Sequence, residues 1–405
     1  MAVSRKPPRR EVGLVGWLRK NLFSSISNTV LTVLASLFIF FALYSLLSWI
    51  LFDAHWERVW VNLRLFAVFR YPEDQLWRPL AALALCLGLL GATTGLSRRT
   101  TENPILRGVF FSFSLVAALL TVVALLFWES VRWSWLLVSL SSVAGYIIGM
   151  SRLRIGKLLP WLWAASFPII ALLLYGFMPG EGLMRVVPAK EWGGFLLTLV
   201  LTTGVIPSFP IGVALALGRR SELPAIKYFC IAVIEIVRGA PLIMWLFVAS
   251  LLLPLLLNVD ANSLPSVMRA YVAITLFSAA YMAENVRGGL QAVPRGQTEA
   301  AKALGLSGWQ TTRLIVLPQA LRAVIPAIVG QSIALFKDTS LVFIVGLTDF
   351  FTVANVVASQ TESLLITGGI RLEVSLFIAL VYWFVAFRMS VASRQLEQKL
   401  GVGER

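Results

Sequence analysis

Charged residues are scarce in this 405-residue sequence, in which Asp, Glu, Lys and Arg make up 14% and hydrophobic residues 58%. The mean hydropathy is +0.81. A soluble domain is typically about one quarter charged, so this composition excludes an ordinary soluble protein. Long apolar runs recur along the whole chain, and they predict an all-α polytopic membrane protein.

The sequence also has few of the side chains that metal and nucleophilic chemistry need. His55 is its only histidine, and Cys86 and Cys230 are its only cysteines. A lone histidine in a polar loop cannot complete a metal site, and two cysteines inside apolar runs are packing residues. No G-x-x-x-x-G-K-[ST] motif for binding ATP phosphates occurs. We therefore predict no catalytic residue, no metal site and no directly bound cofactor, and an enzyme is the least favoured class.

Positive charge dominates, with a formal net charge of +15, but it is not arranged as a nucleic-acid-binding surface. The basic residues form short clusters between apolar runs, such as 97–100, 151–157 and 219–227. Lys and Arg in such loops hold them on the cytoplasmic side of a membrane. The pattern predicts a lipid membrane and no nucleic acid as the chain's surroundings, with both termini in the cytoplasm.

The apolar runs predict about ten membrane spans, or eight if the second and fourth are too short to cross a bilayer. The predicted spans are 27–52, 80–97, 106–128, 134–150, 158–177, 193–218, 240–257, 268–284, 319–346 and 372–392. The chain then divides near residue 190 into an extension, 1–190, with about five spans, and a core, 191–395, followed by a tail, 396–405.

Ionisable residues inside or beside the spans are concentrated in the core. Because charge at membrane depth is costly, such residues mark function or tightly paired structure. Three pairs qualify: Glu235 with Arg238, Glu284 with Arg287, and Lys337 with Asp338.

The stretch "EAAKALGLSGWQTTRLIVLP", from Glu299 to Pro318, is polar and basic in an otherwise apolar chain. Pro294 and Gly296 predict the end of the preceding helix, and residues 299–304 predict a short helix with Glu299 in its first turn. Gly305 is the expected left-handed stop of that helix.

A second helix is predicted to start at the capping residue Ser307 and to run to about Val316, before Pro318. In the first helix, the small side chains of Ala300, Ala301 and Ala303 are expected to face outward and allow another surface to approach closely. These local features fit a partner-docking segment and an ordinary amphipathic connector equally well.

The spacing of "EAA" at 299–301, Gly305 and "IVLP" at 315–318 resembles the EAA motif of ABC-importer permeases. Segments 234–247, 278–307 and 335–350 are similar to polar amino acid permeases of the histidine and glutamine type. This resemblance covers roughly 191–395. The layout of the extension resembles that of a permease subunit of bacterial general L-amino-acid transport systems. The segment "RGAPLIMW", however, carries Ala240, Met244 and Trp245 where the family often has Thr, Val and Gln.

The resemblance implies a type I ABC importer permease core of five helices in a bacterial inner membrane. It implies a cytoplasmic coupling loop, 285–318, that seats in a groove on an ATP-binding subunit, and a dimer of such subunits that carries the ATP and Mg. It further implies a second homologous permease subunit and a periplasmic amino-acid-binding protein. The residues expected to contact the ATPase or shape the loop are Glu299, Ala300, Ala301, Gly305, Arg313 and Pro318.

Each pair of ionisable residues has two interpretations. Glu235 with Arg238, and Glu284 with Arg287, are either structural pairs or a lever beside the coupling loop. The side chains of Lys337 and Asp338 point about 100° apart on a helix and so need separate partners.

For an amino acid substrate, Asp338 can meet the ammonium group, and Lys337, Thr339 or Ser340 the carboxylate. A buried network with the partner subunit is the alternative.

Two other functions compete with an importer subunit. An ion-coupled secondary transporter is expected to have two sequence-related halves, and no internal repeat is found in the sequence. A permease-like subunit that serves assembly alone also fits the spans. The secondary transporter leaves the spacing of residues 299–318 unexplained.

Overall fold

The computed structural model describes residues 13–100, 104–151, 155–178, 180, 182–260 and 264–400. Within these ranges the chain is helical, and the only extended pairings are isolated bridges between Met178 and Arg185 and between Gly194 and Asp349. Contacts divide the chain into two compact units, Met1–Trp60 and Val61–Arg405. The predicted boundary near residue 190 lies inside the second unit.

Eight helices precede residue 190. They are α1 Leu14–Asn21, α2 Ile26–Ser48, α3 Trp56–Val61, α4 Leu63–Val68, α5 Trp77–Thr100, α6 Pro104–Phe127, α7 Arg132–Met150 and α8 Leu159–Tyr175. A π-helical turn, Trp49–Asp53, extends α2, and 3-10 turns lie at Glu73–Gln75, Glu129–Val131, Ile155–Lys157 and Ala189–Glu191.

Eleven helices follow. They are α9 Gly194–Thr202, α10 Val205–Gly218, α11 Pro224–Gly239, α12 Leu242–Leu256, α13 Ser266–Ala292, α14 Arg295–Ala303, α15 Gly308–Gln310, α16 Leu317–Asp338, α17 Phe350–Ala358, α18 Thr361–Leu364 and α19 Arg371–Leu400. A π-helical turn, Thr311–Val316, joins α15 to α16, and a 3-10 turn, Thr339–Val345, follows α16.

In the described part of the chain, eight helical segments are long and apolar enough to cross a membrane, and the bent pair α11 and α12 makes a possible ninth. The pair bends by 109°. The bend falls at Ala240 and Pro241, which have extended backbone, and proline cannot continue the hydrogen bonding of α11. The predicted range of eight to ten spans is confirmed.

The two spans that were expected to be too short do not form the shortest apolar helices. The second and fourth predicted spans correspond to α5, with 24 residues, and α7, with 19, whereas α8 has only 17. Both α5 and α7 extend beyond their apolar residues into flanking polar residues. The length of the apolar run alone therefore underestimates the length of these helices. Similarly, α19 continues to Leu400, so the first half of the predicted tail 396–405 is helical, and residues 401–405 lie outside the described ranges.

Helices α5 and α7 pack with their backbones almost in contact. A Cβ atom on Gly145 of α7 would lie 2.1 Å from the carbonyl oxygen of Gly88, and one on Gly95 of α5 would lie 2.3 Å from that of Tyr146. Small residues allow such close approach in membranes, where packing rather than the hydrophobic effect holds helices together. This pair is the scaffold of the extension.

The extension and the core share one apolar cluster. Tyr71 and Leu174 from the extension are buried together with Leu197, Leu246 and Ile274 from the core helices. The Tyr71 hydroxyl donates to the carbonyl oxygen of Leu174 at 2.7 Å, and burial raises the pKa of Tyr71 to about 12. The tyrosine is therefore a neutral donor at physiological pH.

A chain of polar side chains links α10, α13 and α16 inside the core. The Ser208 hydroxyl donates to Ser278 at 3.2 Å, and the Gln331 amide donates to the Ser278 carbonyl at 2.9 Å. The Asn285 amide in turn donates to Gln331 at 2.8 Å. Hydrogen bonds of this kind between membrane helices fix their relative rotation, so α16 and the segment before it are held against α13.

Candidate functional site

The stretch from 295 to 316 forms a helix, a sharp turn and a second helix, as predicted, but its first helix starts earlier. Helix α14 begins at Arg295, directly after Pro294, whose fixed φ suits the start of a helix. Glu299 therefore lies in the second turn of α14, and the prediction that it occupies the first turn is wrong. The Glu299 side chain is exposed.

The predicted left-handed stop at Gly305 is confirmed. Its φ is +78°, and its N–H donates to the Lys302 carbonyl at 2.9 Å. The N–H of Leu306 donates to the Ala301 carbonyl at 3.1 Å. This pair of bonds is the Schellman motif, which satisfies the last carbonyl groups of α14.

The second helix begins as predicted and ends much later. The Ser307 hydroxyl accepts from the Gln310 N–H at 3.3 Å, and the Gln310 side chain accepts from the Ser307 N–H at 2.9 Å, which is a capping box. The helix then passes through the π turn into α16 and ends at Asp338. The predicted end near Val316 is wrong, because the wider π turn accommodates Pro318, which lacks an N–H and crowds the preceding turn.

The alanines of the motif do not share one environment. Ala301 is only 4% exposed and packs inward, so the expectation that it faces a partner is wrong. Ala300 and Ala303 are exposed, as expected. Ala301 thus serves the geometry of the turn, through its carbonyl group and its small side chain, while Ala300 stays accessible.

Three large apolar side chains on this segment face outward. Leu304 is 82% exposed, Trp309 is 65% and Leu314 is 58%. Arg313, between them, is exposed as well. Our sequence reasoning missed this exposed apolar trio, although apolar residues in a polar stretch outside the spans were a visible signal.

The ionisable pairs of the core form one cluster, which we call the arginine–glutamate cluster: Arg219, Glu235, Arg238, Glu284 and Arg287. Arg219 lies 2.9 Å from Glu235 and 3.7 Å from Glu284. Arg238 lies 3.4 Å from Glu284, and Arg287 donates to the same carboxylate. The predicted pair of Glu284 with Arg287 is confirmed, whereas Glu235 pairs with Arg219 and not with Arg238.

The cluster joins three helices. Arg219 follows α10, Glu235 and Arg238 lie on α11, and Glu284 lies in the last third of α13. The Glu284 side chain is 23% exposed. The Arg238 guanidinium also lies 5.4 Å from the centre of the Tyr281 ring, a cation–π contact. Any movement of α11 against α13 must therefore rearrange these contacts.

The four predicted substrate residues lie where α16 gives way to the 3-10 turn. Lys337 is exposed, and Asp338 and Ser340 are half-buried. Within the described ranges, neither Lys337 nor Asp338 forms an ion pair. Thr339 is fully buried, and its hydroxyl donates to the Phe336 carbonyl at 2.8 Å. Only Lys337, Asp338 and Ser340 are thus accessible to another molecule.

Asp349, which our sequence reasoning did not single out, anchors the segment that follows these residues. It is fully buried, and its carboxylate accepts from the N–H groups of Phe351 at 3.0 Å and Thr352 at 3.1 Å, which caps α17. Burial raises the pKa of the Asp349 carboxyl, and the hydrogen bonds from Thr352 and Phe351 oppose that rise. The buried Thr198 on α9 accepts from the Phe350 N–H at 3.2 Å.

Among the described residues, no group of three or more His, Cys, Asp or Glu side chains could hold a metal ion. Cys230 is buried and Cys86 is partly buried, and both are free thiols.

Known proteins are similar to this chain in both the core and the extension. Residues 208–402 match the family described as binding-protein-dependent transport system inner membrane component. The inner membrane amino-acid ABC transporter permease protein YhdY of Escherichia coli (strain K12) is 35% identical over 96% of this chain and 93% of its own length. The glutamate/glutamine/aspartate/asparagine transport system permease protein BztC of Rhodobacter capsulatus is 36% identical over 99% of this chain and 96% of its own.

A crystal structure of an amino acid ABC transporter with histidines aligns with 51% of this chain and 92% of its own chain, at 28% identity and a TM-score of 0.45. The similarity to the full-length relatives includes the extension, because it spans nearly the whole chain. The chain belongs to the family of inner membrane permease components of binding-protein-dependent ABC transport systems.

Proposed function

We propose that this chain is the permease subunit of an ATP-driven importer that carries polar L-amino acids across a bacterial inner membrane. The observation that carries the proposal is its 35–36% identity, over nearly its full length, to permeases named for amino acid transport. One of these relatives is named for glutamate, glutamine, aspartate and asparagine, which makes acidic and amide side chains the first substrates to test.

The segment 295–316 is the proposed contact with one ATP-binding subunit of a pair that supplies the ATP and Mg. Gly305 shapes the turn, Glu299 and Ala300 are accessible, and the exposed apolar trio offers surface for burial. Arg313 adds an exposed cation. The excess of basic residues in loops on this side of the spans supports a cytoplasmic position for the segment and for both termini.

The arginine–glutamate cluster is the proposed link between this contact and the membrane helices. Its members lie just after α10, near the end of α11 and in the last third of α13, and only Val293 and Pro294 separate α13 from α14. Closure of the ATPase pair pulls α14, and the cluster converts that pull into a change in the angle between α11 and α13.

The proposed pathway lies between this chain and a second, homologous permease, and a periplasmic amino-acid-binding protein delivers the substrate. Lys337 and Asp338 are accessible and lack ion pairs among the described residues, so each is available to one charged end of an amino acid. Ser340, two residues after Asp338, is a partly accessible hydroxyl.

Gentle detergent extraction of the intact assembly tests the proposal. A photo-crosslinker at Leu304 is expected to capture an ATP-binding subunit, while the same crosslinker at Leu365, which is equally exposed but follows α18 beyond the opposite end of α16, is not. Co-purification of the ATPase and of a second permease is the accompanying expectation. Extraction of the chain alone, with no crosslink from Leu304, contradicts the proposed function.

A further inference from the structure

Helix α4 of the extension packs against α17, the helix that follows the proposed substrate residues in the core. Helix α17 comes after the C-terminal end of α16 in the chain, whereas the segment 295–316 leads into the N-terminal end of α16. The proposed transport mechanism assigns no role to α4. Its contacts with the core are therefore the part of the extension that bears most directly on the pathway.

Phe66 of α4 joins a group of aromatic rings around Phe350, the first residue of α17. Phe66 is 1% exposed, and the centre of its ring lies 6.1 Å from that of Phe350 and 5.0 Å from that of Phe377 on α19. The Phe350 ring also lies 5.3 Å from that of Phe195 on α9 and 5.8 Å from that of Tyr382 on α19. The start of α17 is thus enclosed by rings from three other helices, one of which belongs to the extension.

The backbone of α4 lies against the bond that holds the residues before α17. The N–H of Gly194, at the start of α9, donates to the Thr348 carbonyl at 2.9 Å. Gly194 has a φ of +60°, and a Cβ atom there would lie 2.4 Å from the carbonyl oxygen of Phe66. A side chain at position 194 would therefore push α4 away from α9. The close approach keeps α4 in a fixed position relative to this bond.

A polar contact ties the extension to the other end of α17. The side-chain amide of Gln360, two residues after the end of α17, donates to the side-chain oxygen of Asn62 at 3.0 Å. Asn62 directly precedes α4 and is 7% exposed. Residues of the extension therefore contact the core at the first residue of α17 and just beyond its last.

The connection between α17 and the proposed substrate residues is short and hydrogen-bonded. Only residues 346–349 separate α17 from the 3-10 turn Thr339–Val345. Leu347 is 5% exposed, and its N–H donates to a carbonyl group of the turn at 3.3 Å. Because this connection is packed and bonded, a displacement of Phe350 is passed on to the turn and to Ser340 within it.

We infer that the extension positions α17 and the turn before it, with Phe66 and Asn62 as the positioning residues. The inference rests on the proposed function, which places Lys337, Asp338 and Ser340 in the substrate pathway. Phe66 fixes the start of α17 through the aromatic rings, and Asn62 fixes the chain after its end. The extension thereby acts on the residues that the substrate meets.

Thiol labelling in the intact assembly tests this inference without transport. Ser340→Cys places a thiol at a half-buried position, in a background with Cys86→Ala and Cys230→Ala, and its rate of reaction with a maleimide is measured. Phe66→Ala is expected to raise this rate by about tenfold, because local opening needs less free energy once the buried ring is lost. Phe66→Leu keeps most of the apolar volume and should return the rate toward that of the background.

Phe110→Ala is the matched control. Phe110 is 3% exposed, so this substitution also removes a buried phenylalanine ring. The rings beside it, Phe111 and Tyr146, both belong to the extension. The labelling rate at position 340 should therefore stay at that of the background, although a general loss of stability would change it in both variants.

Uptake kinetics give a second readout in the reconstituted assembly. Phe66→Ala and Asn62→Ala are expected to raise the KM for the amino acid more than they lower kcat, because the substrate meets a displaced turn. Phe110→Ala should leave KM unchanged. Thermal unfolding shows whether each variant is folded, and Asn62→Ala carries the test if Phe66→Ala does not fold.

Three results overturn the inference: an unchanged labelling rate in folded Phe66→Ala, an equal increase in Phe110→Ala, or an unchanged KM in both Phe66→Ala and Asn62→Ala. Absence of ATP-dependent uptake by the unmodified chain contradicts the proposed function instead. The labelling rates are measured without uptake, so the two failures are distinguishable.

Discussion

Gly305 carries the sharpest conformational requirement of any single residue in the candidate site. Its φ of +78° lies in the left-handed region, yet a Cβ atom there would meet nothing within 4 Å. The requirement is therefore one of backbone conformation and not of space. A side chain, above all a β-branched one, costs about 1–2 kcal/mol in this region.

Gly305→Val should spare membrane insertion and abolish ATP-dependent uptake, because the turn between α14 and α15 changes course. Gly308→Ala is the matched control, since Gly308 also has open space around it but lacks a positive φ. Uptake in proteoliposomes and quantitative blotting of the membrane fraction check the two effects. Normal uptake by Gly305→Val contradicts the assigned role of the turn.

A second prediction for a single residue concerns Asp349. Its carboxylate caps α17, and burial raises the pKa of the carboxyl, so the negative charge is disfavoured where it stands. Asn keeps the capping oxygen and removes the charge, so Asp349→Asn should leave stability within a few tenths of a kcal/mol. Asp349→Ala should lose about 1 kcal/mol with the cap. Thermal unfolding in detergent compares them, and equal losses in both variants show that the charge itself is needed.

The packing of the helices α10, α11 and α13 against each other depends on Glu284. Three arginines share its carboxylate. Glu284→Gln leaves these arginines without their common partner and should cost about 2 kcal/mol, together with a loss of coupling between ATP hydrolysis and uptake. Glu235→Gln breaks a pair whose glutamate is 54% exposed, so its cost should stay below about 1 kcal/mol.

The ratio of ATP hydrolysed to amino acid transported checks the role of the cluster separately from stability. Glu284→Gln should raise this ratio, while Glu235→Gln should leave it near that of the unmodified chain. An unchanged ratio in Glu284→Gln, in protein that is still folded, limits the cluster to a structural role.

The exposed apolar trio lies on the segment 295–316: Leu304 follows α14, Trp309 lies in α15 and Leu314 in the π turn. Leu304→Ser should weaken association with the ATP-binding subunit by about tenfold or more, because burial of a leucine side chain contributes about 1.5–3 kcal/mol. Leu304 is 82% exposed in this chain, so the permease itself should keep its stability. Leu365→Ser, at an equally exposed leucine of 81%, is the control. Subunit titration by light scattering measures the difference, and equal affinities for both variants contradict the docking role.

The turn at Gly305 and the cap at Ser307 could be predicted from the sequence because each depends on bonds between residues close in the chain. The partner of Glu235 could not: Arg238 is three residues away on the same helix, but Arg219, which follows a different helix, makes the contact. Likewise, the sequence predicts a helix over Ala301 but not the face that its neighbours cover. Local rules thus determine the turn, and tertiary packing determines which of its residues are accessible.

For the molecule as a whole, length and apolarity predicted the membrane helices well. They did not predict that α5 and α7 pack backbone to backbone, although Gly95 and Gly145 permit it. They also could not show that Tyr71 and Leu174 share a core cluster with Leu197 of the core. These contacts make the extension part of the same compact unit as the core from Val61 onward.

Reconstitution of the purified chain in liposomes, with and without the proposed ATP-binding subunits, shows whether uptake depends on ATP hydrolysis. Labelled glutamate and glutamine serve as substrates, together with a binding protein on the substrate side. We expect uptake only when the ATP-binding subunits and hydrolysable ATP are both present. Uptake driven by an ion gradient in liposomes that contain the permease alone would contradict this expectation.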